Sequence, residues 1–270
     1  MSFSELLSYF FTHKDFLPDD LPGKMFTPLH FAFAAVLLAI IVVSALVISK
    51  KSEKTIQVAM CIAWAFVTVG EIIKIVWEST TGTVVGMPWD SLTPLYPCSI
   101  FMYAMPFAIF GKGKVRYAAC GYVCSLGLLG GSINFVYPAT VLGDYSCFSL
   151  AGFQTFFFHG AMVFSAIVML KSGYHSYKEA RKFTDLLLPA IPALITSIPA
   201  NFMNFTREYS DFMFFKLRFM FLAPIGEALP LPVCVIIVYI LYLVIHALPY
   251  LPGYFKNRKA NAQAVQEQAQ

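Results

Sequence analysis

Seven stretches of this chain stay apolar over lengths near those a helix needs to cross hydrocarbon, about 20 residues at about 1.5 Å of rise each. They run over residues 26–49, 55–77, 95–110, 115–135, 150–170, 183–203 and 229–250, the third being short. Composition agrees: 58 % of residues are hydrophobic, 13 % are charged, and the mean hydropathy is +0.68. A soluble globule is normally less than half apolar and about a quarter charged. The expected fold is therefore all-α: a polytopic membrane protein built as a seven-transmembrane-helix bundle.

No hydrophilic stretch is long enough for a second domain and no internal repeat is visible, so residues 1–255 read as one membrane domain. Residues 256–270 read as a polar, disordered cytosolic tail. The first span is too long and poorly flanked for a cleaved signal peptide and reads as a retained helix. Before it, Leu6, Leu7, Phe10 and Phe11 fall on roughly one helical side, a pattern for a segment lying in the interface.

Orientation follows from the cations in the connections. Lys50, Lys51, Lys54, Lys112, Lys114, Arg116, Lys171, Lys178, Arg181, Lys182, Lys256, Arg258 and Lys259 would share one side. Lys14, Lys24, Arg207, Lys216 and Arg218 would share the other. By the positive-inside rule the N-terminus lies outside and the C-terminus is cytosolic.

On that topology the polar residues of the spans gather toward the outer side: His30, Glu71, Lys74, Cys98, Asn134, His159 and Asn201. The inner halves hold almost nothing comparable. Charges in hydrocarbon are costly enough that these groups should converge on one pocket opening outward. Plainer readings stand beside this one. Glu71 and Lys74, three residues apart, can neutralise each other, and Asn134 and Asn201 can cap helix ends. His30 and His246, near span ends, read as wet histidines, and His175 in a basic loop reads as solvated.

Two residues point to chemistry. Cys98 follows Pro97 at a helix start, where the positive end of the helix dipole favours a thiolate. His159 stands inside an apolar run, Phe156-Phe157-Phe158-His159, where an imidazole needs a reason to be. They read as a nucleophile and its base. Upright helices would leave them about 8 Å apart in depth, a gap that tilts near 20° can close. A disulfide between Cys98 and Cys147 is the competing reading. Cys61, Cys120, Cys124 and Cys234 read as structural, the middle two sharing a helix face with Gly127 and Gly131, a strip suited to close packing.

No phosphate loop, dinucleotide fingerprint, CxxC pair or histidine metal spacing competes, so no metal, cofactor or nucleic-acid partner is expected. Asn204-Phe205-Thr206 matches a glycosylation acceptor in an outer loop. The following loop, 205–228, sets bulky apolar groups around Lys216 and Arg218, as an interfacial belt or a lipid-phosphate clamp would.

In Glu71-Ile72-Ile73-Lys74, Pro94-Leu95-Tyr96-Pro97-Cys98-Ser99-Ile100, the glycine-rich run 127–131 followed by Pro138, Phe156 to His159, and Asn201 with residues 204–215, the chain resembles the YwaF-like family. The animal branch of that family is known as transmembrane protein 164. The resemblance implies a thiol acyltransferase acting on phospholipids, with Cys98 and His159 as nucleophile and base. Where many members carry His or another polar group two residues before the cysteine, this chain has Tyr96, so the resemblance leaves a third catalytic group there open. The implied reaction passes an acyl chain from one membrane phospholipid through a Cys98 thioester to a lysolipid or other lipid hydroxyl. First-turn N–H groups of helix three would serve as oxyanion donors, and His30, Glu71, Lys74 and Asn201 would bind substrate or support the base. A proton-coupled transporter and a seven-helix receptor are the alternatives; the bare inner halves argue against transport. The membrane would be the plasma membrane in a bacterium and an endomembrane in a eukaryote.

Overall fold

The computed structural model describes residues 2–82, 93–206, 211–217 and 222–268, so Arg207 and Arg218 lie outside the described residues. In chain order the helices are α1 (Phe3–Ser8), α2 (Pro28–Ile48), α3 (Glu53–Thr81), α4 (Ile100–Phe110) and α5 (Gly113–Tyr122). A wide π turn (Val123–Gly127) leads into α6 (Leu128–Val136), then α7 (Ala139–Leu142), α8 (Leu150–Ser172), α9 (Phe183–Leu187) and α10 (Ile191–Thr206). The chain ends with α11 (Ala223–Ala228), α12 (Leu231–Ala247) and α13 (Leu251–Gln268). No strand occurs among the described residues.

Local chemistry sets these boundaries. Thr27 Oγ1 accepts the His30 N–H at 3.3 Å, and Pro28 follows it, starting α2 where a missing N–H costs nothing. Ser52 caps α3 in the same way through the Thr55 N–H. Among the described residues six helical stretches are long and apolar enough to cross a membrane: Pro28–Ile48, Glu53–Thr81, Gly113–Leu142, Leu150–Ser172, Phe183–Thr206 and Leu231–Ala264. The protein is an integral multi-pass membrane protein. The third expected span supplies only the 11-residue α4, because Pro94 and Pro97 bias the residues before them away from helix.

The exposed faces explain the composition. On α2, Val36, Ile40, Val43 and Val47 are each more than half exposed, and Ile62, Phe66, Val69, Ile73 and Val76 form the same stripe on α3. Spacings of three and four put each set on one helical face, a surface that lipid covers and water would not tolerate.

The chain divides into two compact units, residues 1–93 with 127–171 and residues 94–126 with 172–270. In the first, Ala34, Phe135, Leu142, Cys147, Phe156 and Val163 form a buried core. Glycine at 131 lets α6 approach α8 closely: a Cβ there would lie 2.9 Å from the His159 carbonyl oxygen. The N-terminal segment is not one amphipathic helix, since α1 stops at Ser8 and the four apolar residues part company. Leu6 is buried and Phe11 exposed, while the Phe10 carbonyl accepts the Leu150 N–H at 2.8 Å and its ring meets Phe153 at 5.6 Å.

In the second unit Ala180, Leu186 and Tyr250 are the centre of a core cluster, and α4 buries Ile100, Phe101 and Met105 completely. Residues 256–268, expected to be disordered, are helical. Their Ala, Gln, Lys and Glu content is helix-forming, and the first turn is anchored where Asn257 Nδ2 donates to the Lys178 and Ala180 carbonyls, both at 2.9 Å. The expected shared strip of Cys120, Cys124, Gly127 and Gly131 is also corrected. The π turn inserts an extra residue between the cysteines and Gly131, so four-residue spacing no longer keeps them on one face.

Candidate functional site

The first unit assembles most of the expected polar group. Glu71 Oε1 and Lys74 Nζ form an ion pair at 3.5 Å, one turn apart on α3. Gln154 on α8 donates its Nε2–H to Glu71 Oε2, giving the carboxylate a second partner. The next residue, Thr155, carries the chain of contacts onward: its hydroxyl donates to Asn134 Oδ1 at 3.5 Å and lies 3.3 Å from His159 Nδ1. Asn134 therefore bonds across to α8 instead of capping its own helix.

His159 is fixed by geometry. Its Nδ1 lies 2.7 Å from the Thr155 carbonyl oxygen, one turn earlier on α8. A carbonyl only accepts, so Nδ1 carries the proton and Nε2 keeps the lone pair, the form a general base requires. The Lys74 ammonium is within electrostatic reach of this ring. Gln154 and Thr155 escaped the reading from sequence, although polar side chains one after the other inside an apolar helix are the signal that would have found them.

His30 is not the wet histidine expected. It is fully buried, Nδ1 accepts the Phe26 N–H at 3.2 Å, and Nε2 donates to the Phe135 carbonyl at 3.2 Å. With both nitrogens committed to backbone, it ties the start of α2 to the end of α6.

Cys98 and Asn201 belong to the second unit. Cys98 stands in the turn Pro97-Cys98-Ser99, two residues before α4, and its carbonyl accepts the Phe101 N–H at 3.1 Å. The Ser99 and Met102 N–H groups are likewise taken by Tyr96 and Ser99 carbonyls at 3.0 Å. These three amides are therefore engaged within the turn and not presented as oxyanion donors. Tyr122 donates its hydroxyl proton to the Pro97 carbonyl, next to the thiol, and Tyr242 donates to the Met213 carbonyl at 2.7 Å. Both hydroxyls lie within electrostatic reach of Cys98.

The Met213 end is a strained loop. Met213, Phe214 and Leu217 have φ of 58°, 56° and 55°, a left-handed conformation that non-glycine residues rarely adopt. The loop is nevertheless buried, and Asn204 clamps it, accepting the Phe212 N–H and donating to the Phe212 carbonyl, both at 2.8 Å. A buried Asn204 with both ends of its amide occupied is no glycan acceptor. Tyr96, which stands where a polar group was sought, packs its ring on Phe212 and Phe214. Asn201 lies inside α10 and does not end it, donating Nδ2–H to the Tyr239 hydroxyl at 3.0 Å. Lys216 lies in the buried loop with its N–H on Asp211 Oδ1; of the belt expected around it, 218–221 lie outside the described residues.

None of the six cysteines is in a disulfide, so the pairing of Cys98 with Cys147 is not made. Cys147 is fully buried in the first unit's core, and that burial pushes its thiol up to about 11. His175 is 3 % exposed, not solvated; its Nε2 meets the Tyr250 hydroxyl, and burial first, then the Arg116 guanidinium, holds it down to about 4. His246 on α12 is fully buried as well. These two histidines, read from sequence as wet or solvated, are buried instead. The error has one cause: span ends and basic loops were taken as wet, whereas here they fold back into the protein. No group of three or more metal-ligating side chains occurs among the described residues.

The chain matches the TMEM164 family over residues 25–250. No curated protein and no solved structure matches it.

Proposed function

Because the chain belongs to the TMEM164 family, we propose that it is a phospholipid transacylase working through a cysteine thioester. The observation that carries the reading is the tautomer of His159, whose Nδ1–H is spent on the Thr155 carbonyl so that Nε2 is left basic inside an apolar helix. In the proposed cycle Nε2 takes the Cys98 thiol proton and the thiolate attacks a lipid ester carbonyl. The sulfur–carbon bond forms, the ester carbon–oxygen bond breaks, and the departing lysolipid alkoxide takes the proton from His159. His159 then takes the proton of a second lipid hydroxyl, whose oxygen attacks the thioester; the carbon–oxygen bond forms, the sulfur–carbon bond breaks, and His159 gives its proton to the leaving Cys98 sulfur.

Glu71, Lys74 and Gln154 would hold the headgroup, with Asn201 binding lipid on the second unit and His30 keeping α2 and α6 in place. Seven crossings, counting the short α4 with the turn before it, and an outward N-terminus suit the distribution of Lys and Arg. Transfer between lipids needs no soluble acyl donor, which fits an outward site. The membrane would be the plasma membrane of a bacterium or an endomembrane of a eukaryote.

Intact-protein mass spectrometry after incubation with mixed phospholipids tests the reading. A fatty-acyl adduct removed by hydroxylamine is expected in wild type and absent in Cys98→Ala, with little in His159→Ala. A wild type that never carries an adduct refutes it. Buried His175 and His246 favour one second reading, a proton-coupled carrier. It predicts substrate-driven proton uptake in proteoliposomes that both His→Gln variants abolish.

A further inference from the structure

In the second unit one buried imidazole nitrogen, Nε2 of His246, has nothing to bind. Ser125, in the π turn, donates its hydroxyl proton to the Gly121 carbonyl at 2.6 Å, and its oxygen lies 2.5 Å from His246 Nδ1. Since the serine proton is spent, Nδ1 supplies the one between them and Nε2 holds a lone pair. That Nε2 is buried and has no hydrogen-bond partner, in a residue with no exposed surface. His30 shows what a purely structural histidine does in this fold, placing both nitrogens on backbone. A buried acceptor left unsatisfied in so dry a place is uncommon and calls for a reason.

The neighbours of His246 lead to Cys98. The Tyr122 ring lies 5.3 Å from the His246 ring, and the Tyr122 hydroxyl is pinned to the Pro97 carbonyl. Tyr242, one turn before His246 on α12, is the other hydroxyl within reach of the thiol. α12 itself also carries Cys234 and Tyr239, the latter's hydroxyl accepting the Asn201 Nδ2–H and meeting Ser197; Tyr250 lies beyond its end, and Asp211 acts on Tyr242. α9 packs on α12 and carries Asp185, whose Oδ2 accepts the Arg181 and Lys182 N–H groups, each at 2.9 Å. The turn Leu188–Ala190 contributes no titratable side chain.

We propose that His246 is a positioning residue for Cys98, acting across Tyr122, whose bare Nε2 is the buried base that sets the proton balance of the thiol. The proposal rests on Cys98 being the nucleophile. His159 remains the group that takes the thiol proton in the cycle; a proton held on His246 Nε2 would set a positive charge across Tyr122 from Cys98, and in a medium of low dielectric constant such a charge favours the thiolate. Ser125 holds the ring in the tautomer that leaves Nε2 open, and Tyr122 is the spacer.

The test is the rate of iodoacetamide alkylation of Cys98, read peptide by peptide in mass spectrometry from pH 5 to 10, on the full chain in nanodiscs. His246→Gln is expected to move the midpoint of the rate profile up by about one pH unit, a loss of about tenfold in rate below it. Tyr122→Phe and Ser125→Ala should move it the same way by less, and His175→Gln should not move it. A folded His246→Gln protein whose profile superimposes on wild type overturns the proposal. If His246→Gln does not fold, Ser125→Ala decides, and an unmoved profile again overturns it. The transacylase reading fails separately, by the absence of any acyl adduct on wild type, and the alkylation profile scores His246 whichever way that falls.

Discussion

Gly70 and Gly131 both interrupt apolar helices, and the same substitution should act on them with opposite sign. Glycine costs a helix interior about 1 kcal/mol relative to alanine, so Gly→Ala starts with that gain at either place. At Gly70 on α3 a Cβ would meet nothing within 4 Å, and the gain should be kept. At Gly131 the added carbon would lie 2.9 Å from the His159 carbonyl oxygen, 3.0 Å from Val163 Cγ2 and 3.2 Å from Met162 Cβ. The nearest of these is backbone of α8 and cannot swing aside, so α6 and α8 must part, at an overpacking cost of about 1–3 kcal/mol. The net expectation is a gain of up to about 1 kcal/mol for Gly70→Ala and a loss of up to about 2 kcal/mol for Gly131→Ala. In apparent melting temperature, at about 2–4 °C per kcal/mol for a chain of this size, the two variants should fall on opposite sides of wild type. Melting in one detergent, followed by loss of the monodisperse peak, is the assay. Gly131→Ala should also lower the acyl adduct, because the displaced backbone is that of His159. A Gly131→Ala protein as stable as Gly70→Ala would refute the close approach of α6 to α8.

Asn204→Ala removes both bonds that hold Phe212 and should cost about 2–4 kcal/mol by thermal melting, with Asn204→Asp intermediate because it keeps the acceptor. His175, held to about 4 in the fold against about 6.5 unfolded, takes its proton more readily once unfolded. Its stability contribution is complete above about pH 6.5 and is lost as pH falls toward 4, by up to about 3 kcal/mol, so melting between pH 7 and 4.5 should flatten in His175→Gln. Cys147, buried and with its thiol at about 11, should resist iodoacetamide at pH 8 until the protein unfolds, when its peptide takes up the label. Glu71→Ala should destabilise more than Glu71→Ala combined with Lys74→Met, since the single change leaves the Lys74 ammonium without its carboxylate; a melting comparison of the two scores it.

Much of this was legible in the residues because lipid imposes a strict rule on helix length and on which groups can be buried. Glu71 with Lys74, and His159 as an unusual imidazole, follow from that rule. What escaped are contacts made from one helix to another. Thr155 and Gln154 matter because α8 turns them toward α6 and α3, which spacing along one helix does not tell. His30, His175 and His246 were misjudged because depth in a bilayer was taken for exposure, and burial depends on what packs alongside. The strained loop around Met213 carries no glycine and no turn signature; its conformation is imposed by Asn204, Tyr242 and the aromatic rings on it.

The π turn at Val123–Gly127 makes this stretch of chain sensitive to length in a way that composition does not reveal. A π turn takes up one extra residue, so losing a single residue there would let the helix close into a regular one while the side chains that follow keep nearly their present faces. Adding a residue within the regular stretch after it would instead turn every later side chain by about 100° and take Asn134 off α8. A one-residue deletion between 123 and 127 is thus better borne than a one-residue insertion between 128 and 131. Sequences compared across this helix are best aligned in two separate frames that meet at the turn.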